Sequence, residues 1–165
     1  MDRKAMLPRL ILAAALMSAA PTLADTFSQD PAVIGKKANA WFASRSMSSR
    51  FSEPACRAGA HLKSCLYGLG PVEIVAHGLP SSEATSKITV QLNEGSADDA
   101  ALFLIAAVAI MAVQAPAISQ DVASNELAEM VKGAAAEGKQ SKILDGTYFS
   151  VMKIGSEFVF TAMPE

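Results

Sequence analysis

Residues 97–115 constrain this chain more than any other stretch. Leu102, Phe103, Leu104, Ile105, Val108, Ile110, Met111 and Val113 fall all round the circumference of a helix, with alanine filling most of the remaining positions. A helix that is apolar on every side is buried, either in protein or in lipid. Nineteen residues at helical rise reach about 28 Å, close to the thickness of the hydrocarbon layer of a bilayer. Against a membrane span stand the alanine content, Gln114 and Pro116 at the end, and the flanking Asp98, Asp99 and Asp121. No Lys or Arg lies between Lys87 and Lys132, so the positive flank that orients a span is missing. The expectation is a central helix buried in protein. Ser96 and Asp99 make a capping-box-like start, and two aspartates in the first turn suit the positive end of the helix dipole.

The first two dozen residues carry a different signal. Arg3 and Lys4 precede the apolar run Leu10–Met17, then small residues and Thr22-Leu23-Ala24. A charged start, an apolar centre and a small-residue cleavage site describe a secretory signal peptide, cut between Ala24 and Asp25. The apolar run after Arg9 is too short to span a bilayer, and Pro21 interrupts any continuation of it. The expected organisation is a signal peptide over residues 1–24 and a single exported α+β domain over 25–165, periplasmic or secreted. Removing the leader takes away Arg3, Lys4 and Arg9 but only Asp2, moving the net charge from −2 to −4. An acidic balance without a basic block argues against nucleic acid and against an anionic membrane surface as partners. No lipobox cysteine stands at the cleavage point, so no stable anchor is expected after cleavage.

Cys56 and Cys65 are the two cysteines, and in an oxidising compartment they read as one disulfide. Eight residues separate them, where a redox-active Cys-x-x-Cys pair has two. A structural staple is the expectation.

Local patterns place the other elements. Asp30-Pro31 is a helix start, an acid at the cap followed by proline at the first helical position. Val33/Ile34, Ala38 and Trp41/Phe42 recur at helical spacing to about Arg45. Between Phe51 and Gly95 the pattern turns to strands: a run from Leu62 to Tyr67, then Val72–Ala76 and Ile88–Leu92, three antiparallel strands in all. Pro116 ends the apolar helix. An amphipathic helix from about Gln120 to Glu137 comes next, with Val122, Leu127, Met130/Val131 and Ala134 inward, Glu126, Glu129 and Lys132 outward, and Gly138 as C-cap. Two strand-like runs, 146–154 and 157–163, flank the turn Gly155-Ser156. That register sets Val151 opposite Phe160 and Phe149 opposite Ala162 on a core face, with Lys153 beside Phe158. Met152/Val159 and Ser150/Thr161 share the other face. The predicted order is α-β-β-β-α-α-β-β: one antiparallel sheet of about five strands with the apolar helix packed on one face.

Reactive constellations are scarce. His61 and His77 are the only histidines, each a candidate general base. Ser64 lies three residues from His61, a spacing that puts the two on opposite faces of a strand. No Gly-x-Ser-x-Gly elbow is present, and a Cys65–His61 thiol dyad requires a reduced cysteine. His61, His77, Cys56 and Cys65 lack the short paired spacing of a zinc site, and oxidation removes the thiolates. The mature methionines are too scattered for a copper tract, and Met111 and Met130 read as core filler. Asp98 and Asp99 read as helix-start charges, Glu126 and Glu129 as a solvated face, and Lys36-Lys37 as a small surface cluster. Tyr148, Phe149, Phe158 and Phe160 in the terminal hairpin read as core packing. No phosphate-cradling loop appears, so no cofactor, metal ligand or catalytic residue is expected. The functional expectation is a non-enzymatic envelope protein that binds a protein or small ligand. A second reading is an inhibitor or immunity protein blocking a hydrolase, with acids concentrated on one exposed face. A small hydrolase using His61 or His77 comes third.

Overall fold

The computed structural model describes residues 26–80, 84–92 and 96–165. The expected cleavage point between Ala24 and Asp25 lies outside the described residues. A 3-10 turn at Pro31–Val33 leads into α1 (Ile34–Ser44), followed by β1 (Ala55–Ala58), β2 (Lys63–Leu69), β3 (Val72–Gly78) and β4 (Thr85–Leu92). Then come α2 (Ala97–Gln114), α3 (Gln120–Glu137), β5 (Lys139–Leu144), β6 (Thr147–Ile154) and β7 (Glu157–Pro164). All seven strands form one antiparallel sheet in the order β1-β2-β3-β4-β7-β6-β5. The chain therefore draws two meanders, β1 to β4 and β5 to β7, that meet through their last strands.

The α+β class and the single antiparallel sheet agree with the sequence reading, but the strand number does not. Among the described residues there are seven strands rather than about five, and the two unforeseen ones, β1 and β5, are the sheet edges. Every residue of β1 is exposed, as is every residue of β5 except Leu144. A strand wet on both faces needs no apolar alternation, and its ladder hydrogen bonds leave no mark in composition. Arg57 on β1 and Lys139 and Lys142 on β5 put charge on edges that would otherwise invite pairing with another chain.

Alternation elsewhere is strict enough to set the core. Tyr67, Ile74, Val90, Phe160 and Val151 face one another in a continuous row across five strands, and all are buried. Each such side chain contributes about 1.5–3 kcal/mol on burial. The expected hairpin register holds at every pair: Phe149 with Ala162, Val151 with Phe160, Lys153 with Phe158.

Three helices cover this face. The 3-10 turn ahead of α1 is capped by Asp30, whose carboxylate accepts from the Ala32 backbone N–H at 2.6 Å. Tyr67 rises from β2 against Gly35 of α1, and its hydroxyl donates to the Pro31 carbonyl. Burial pushes the Tyr67 phenol up to about 12. Ser96 and Asp99 form the expected capping box on α2, and Gly138 ends α3 in the left-handed conformation at φ 84°.

Helix α2 packs on the central strands with Phe103, Ala106, Ala107, Ile110 and Met111 buried. It is not sealed on every side, as its uniform apolarity predicts, because Ala100 and Ala101 are exposed and Leu104 is 39% exposed. In α3 the inward residue of the first turn is Ala123, while Val122 faces out at 42% exposure. No helix among the described residues is long and apolar enough to cross a membrane.

Candidate ligand-binding groove

The short connection between α2 and α3 makes them antiparallel neighbours, and α1 packs beside α2. Where the three meet, away from the sheet, they leave an apolar groove of about 490 Å³. Leu104, Ile105 and Val108 of α2 form its floor, Leu127, Ala128 and Val131 of α3 one wall, and Trp41 of α1 with Met47 the other. Gln120, Ser124, Lys132 and Ala135 complete the lining. The size falls within the range of sites that enclose small molecules, and such sites are mostly apolar with a few placed polar groups.

The indole Nε1 of Trp41 is buried and has no hydrogen-bond acceptor; a buried donor left so costs about 1–3 kcal/mol. Arg45, the C-cap of α1, lies over the Trp41 ring with its guanidinium carbon 4.2 Å from the ring centre. Its Nε donates to Oε1 of Gln120 at 2.5 Å, which ties α1 to the start of α3 across the groove.

The residues singled out from sequence lie elsewhere. Cys56 and Cys65 face each other across β1 and β2 and are joined as a disulfide. His61 is exposed in the β1–β2 turn, away from His77 on β3. Ser64 does find a histidine, but it is His77, its cross-strand partner, with Oγ 2.9 Å from Nδ1. That pair sits on the helix-free face of the sheet. Burial, and then the neighbouring Lys87, hold the His77 pKa below its ordinary value, so the ring is neutral near pH 7.

No carboxylate among the described residues is hydrogen-bonded to His77 to orient it. No group of three or more His, Cys, Asp or Glu among the described residues is placed to hold a metal ion. Asp98 and Asp99 lie at the start of α2, where the Ser96 backbone N–H and hydroxyl hold the Asp99 carboxyl below its usual range. Glu126 pairs with Lys142 of β5, and Glu129, Lys36 and Lys37 are exposed. Phe149 and Phe160 stack in the core at 5.8 Å. Phe158 is half-buried against that core, and Met111 and Met130 are within it. Tyr148 is on the helix-free face, where Ser141 holds its phenol below the ordinary value.

Sequence reasoning missed the groove because its residues look like core. One signal was available: a helix apolar all round has more apolar surface than a single sheet can cover, so part of α2 had to meet something else. Arg45 carries no such signal. Comparison with known proteins gave no match, whether to family models, to curated sequences or to solved structures.

Proposed function

We propose that this protein is a non-enzymatic binding protein of an oxidising envelope compartment, and that it carries a small apolar molecule in the groove between α1, α2 and α3. The groove itself carries the reading: an apolar space of about 490 Å³ between three helices. The disulfide supports export, in keeping with the leader. Two observations weigh against the other expectations. The acids of α3 are interleaved with Lys132, and Glu126 is neutralised by Lys142, which is not the one-sided acidic face of an inhibitor. The Ser64–His77 pair has Lys87 beside it in place of an orienting acid, so that pair lacks the third group that nucleophilic catalysis needs.

Trp41 is the only tryptophan, so intrinsic fluorescence reports on this groove alone. Titration with the neutral apolar dye N-phenylnaphthylamine is expected to quench Trp41 by energy transfer and to saturate at one dye per chain. Ala128→Phe, which fills the groove from the exposed side of α3, is expected to abolish both effects. Equal dye binding by that variant would show that the dye sits elsewhere and would remove the reading.

A further inference from the structure

The charge around the groove is one-sided. Lys132 is the only ionisable side chain in its lining, and Arg45 lies over the ring of Trp41, another lining residue. Arg45 donates to Gln120 from Nε, and from Nη1 to the Ser44 hydroxyl at 2.8 Å and the Trp41 carbonyl at 3.4 Å. All three acceptors are neutral, and none of these bonds uses Nη2. Neither Arg45 nor Lys132 forms an ion pair among the described residues. An apolar channel with Lys132 in its lining, Arg45 against Trp41 and no acid in that lining is complementary to an anion on an apolar chain.

Resting on the apolar-groove reading above, we infer that the ligand is a single-chain carboxylate amphiphile of the free fatty acid type, its chain along α2 and α3 and its carboxylate at the Arg45 end. A guanidinium presents a planar fork of donors that fits a carboxylate, where an ammonium is only a point charge. Lys132 is the weaker candidate, because Glu129 lies one helical turn before it on the same exposed surface. Each methylene laid into the groove adds roughly fourfold to affinity, so the chain supplies the strength and Arg45 the selectivity. A monomeric amphiphile is favoured over a bilayer surface because Asp121, Glu129 and Glu137 are exposed along α3 and repel an anionic sheet of headgroups.

Isothermal titration with laurate and with lauryl alcohol tests this on the protein and on the Arg45→Gln and Lys132→Gln variants. Laurate is expected to bind about tenfold tighter than the alcohol. Arg45→Gln is expected to erase that preference while leaving the alcohol's affinity within about twofold, and Lys132→Gln to change laurate binding by less than about threefold. Equal affinity of the unaltered protein for both compounds would overturn the headgroup assignment and leave the apolar groove standing. A preference lost in Lys132→Gln but kept in Arg45→Gln would overturn the place of Arg45. Binding of neither compound, with or without self-association of the chain through this face, would overturn both readings.

Discussion

Asp30 shows how much one side chain organises at the start of this fold. Its carboxylate caps the turn ahead of α1 through Ala32 and takes Lys63 of β2 at 2.9 and 2.7 Å, so it ties the helix layer to the sheet. Lys63 first, then the Ala32 N–H, hold its pKa below the ordinary 3.8. A lowered carboxyl pKa means that the unfolded chain binds the proton more tightly than the folded one. The stabilisation is therefore complete above the unfolded value and is lost as pH falls through 3.8 toward the lower folded value. With both partners about a quarter exposed, the pair is worth no more than about 1 kcal/mol, and the cap about 1 kcal/mol more. Asparagine caps as well as aspartate, so Asp30→Asn isolates the charge. In urea unfolding it is expected to cost up to about 1 kcal/mol at pH 7, and the gap should close as pH falls below 3.8. Asp30→Ala is expected to lose about 1 kcal/mol more at every pH. A second prediction at this scale concerns the staple. The Cys56–Cys65 bond spans a sequence separation of nine, and a ring of that length restrains the unfolded chain by about 2–3 kcal/mol. Replacing both cysteines with serine is expected to lower unfolding free energy by about that amount.

Elements that end on side-chain chemistry were legible in the sequence. Asp30-Pro31, the Ser96/Asp99 capping box and Gly138 each mark a helix end through a local bond or backbone angle, and all three hold in the fold. Elements defined by partners were not legible. Strands β1 and β5 exist because a neighbouring strand offers its ladder, and their exposed residues carry no alternation. The Ser64–His77 pair lies between these cases. The two-residue link Gly70-Pro71 between Leu69 and Val72 sets the β2–β3 register and with it that pairing, so the turn held the information. The meeting of α1 with β2 was invisible, because nothing near Gly35 announces Tyr67. Alanine there gains up to about 1 kcal/mol of helix propensity, but its Cβ would stand 2.4 Å from the Tyr67 ring. That ring is held by its hydroxyl bond to Pro31 and cannot withdraw. Overlap wins, and Gly35→Ala is expected to destabilise by about 1–3 kcal/mol. At Gly133 in α3 the nearest atoms belong to Gln140, an exposed side chain on β5, at 3.0 Å. That neighbour gives way, so Gly133→Ala is expected to leave stability unchanged or raise it by up to about 1 kcal/mol. Thermal unfolding of the two variants side by side checks the opposite outcomes.

For the whole molecule, the two meanders and three helices form one sheet with one covered face, and the groove is what remains where the cover is not closed. Its composition was on view in the sequence, but its existence was not. Leu104, Trp41 and Val131 read as core by type, and only the packing of three helices decides that they line an opening instead. Such a groove links binding to folding. A ligand held by the folded chain alone stabilises it by about 2.7 kcal/mol at a concentration one hundred times its Kd. For a chain of this size that corresponds to a rise of roughly 6–12 °C in the unfolding temperature. Laurate is expected to produce a rise of that order, climbing with the logarithm of its concentration. Ala128→Phe is expected to keep the ligand-free unfolding temperature within about 2 °C, since residue 128 is exposed and surface changes cost little. It is expected to show no ligand-induced rise. A nonspecific effect of the amphiphile on the exposed Leu66, Ile143, Met152 or Ile154 of the helix-free sheet face would move the protein and the variant alike. The difference between the two melting curves therefore assigns the stabilisation to the helices or to the sheet.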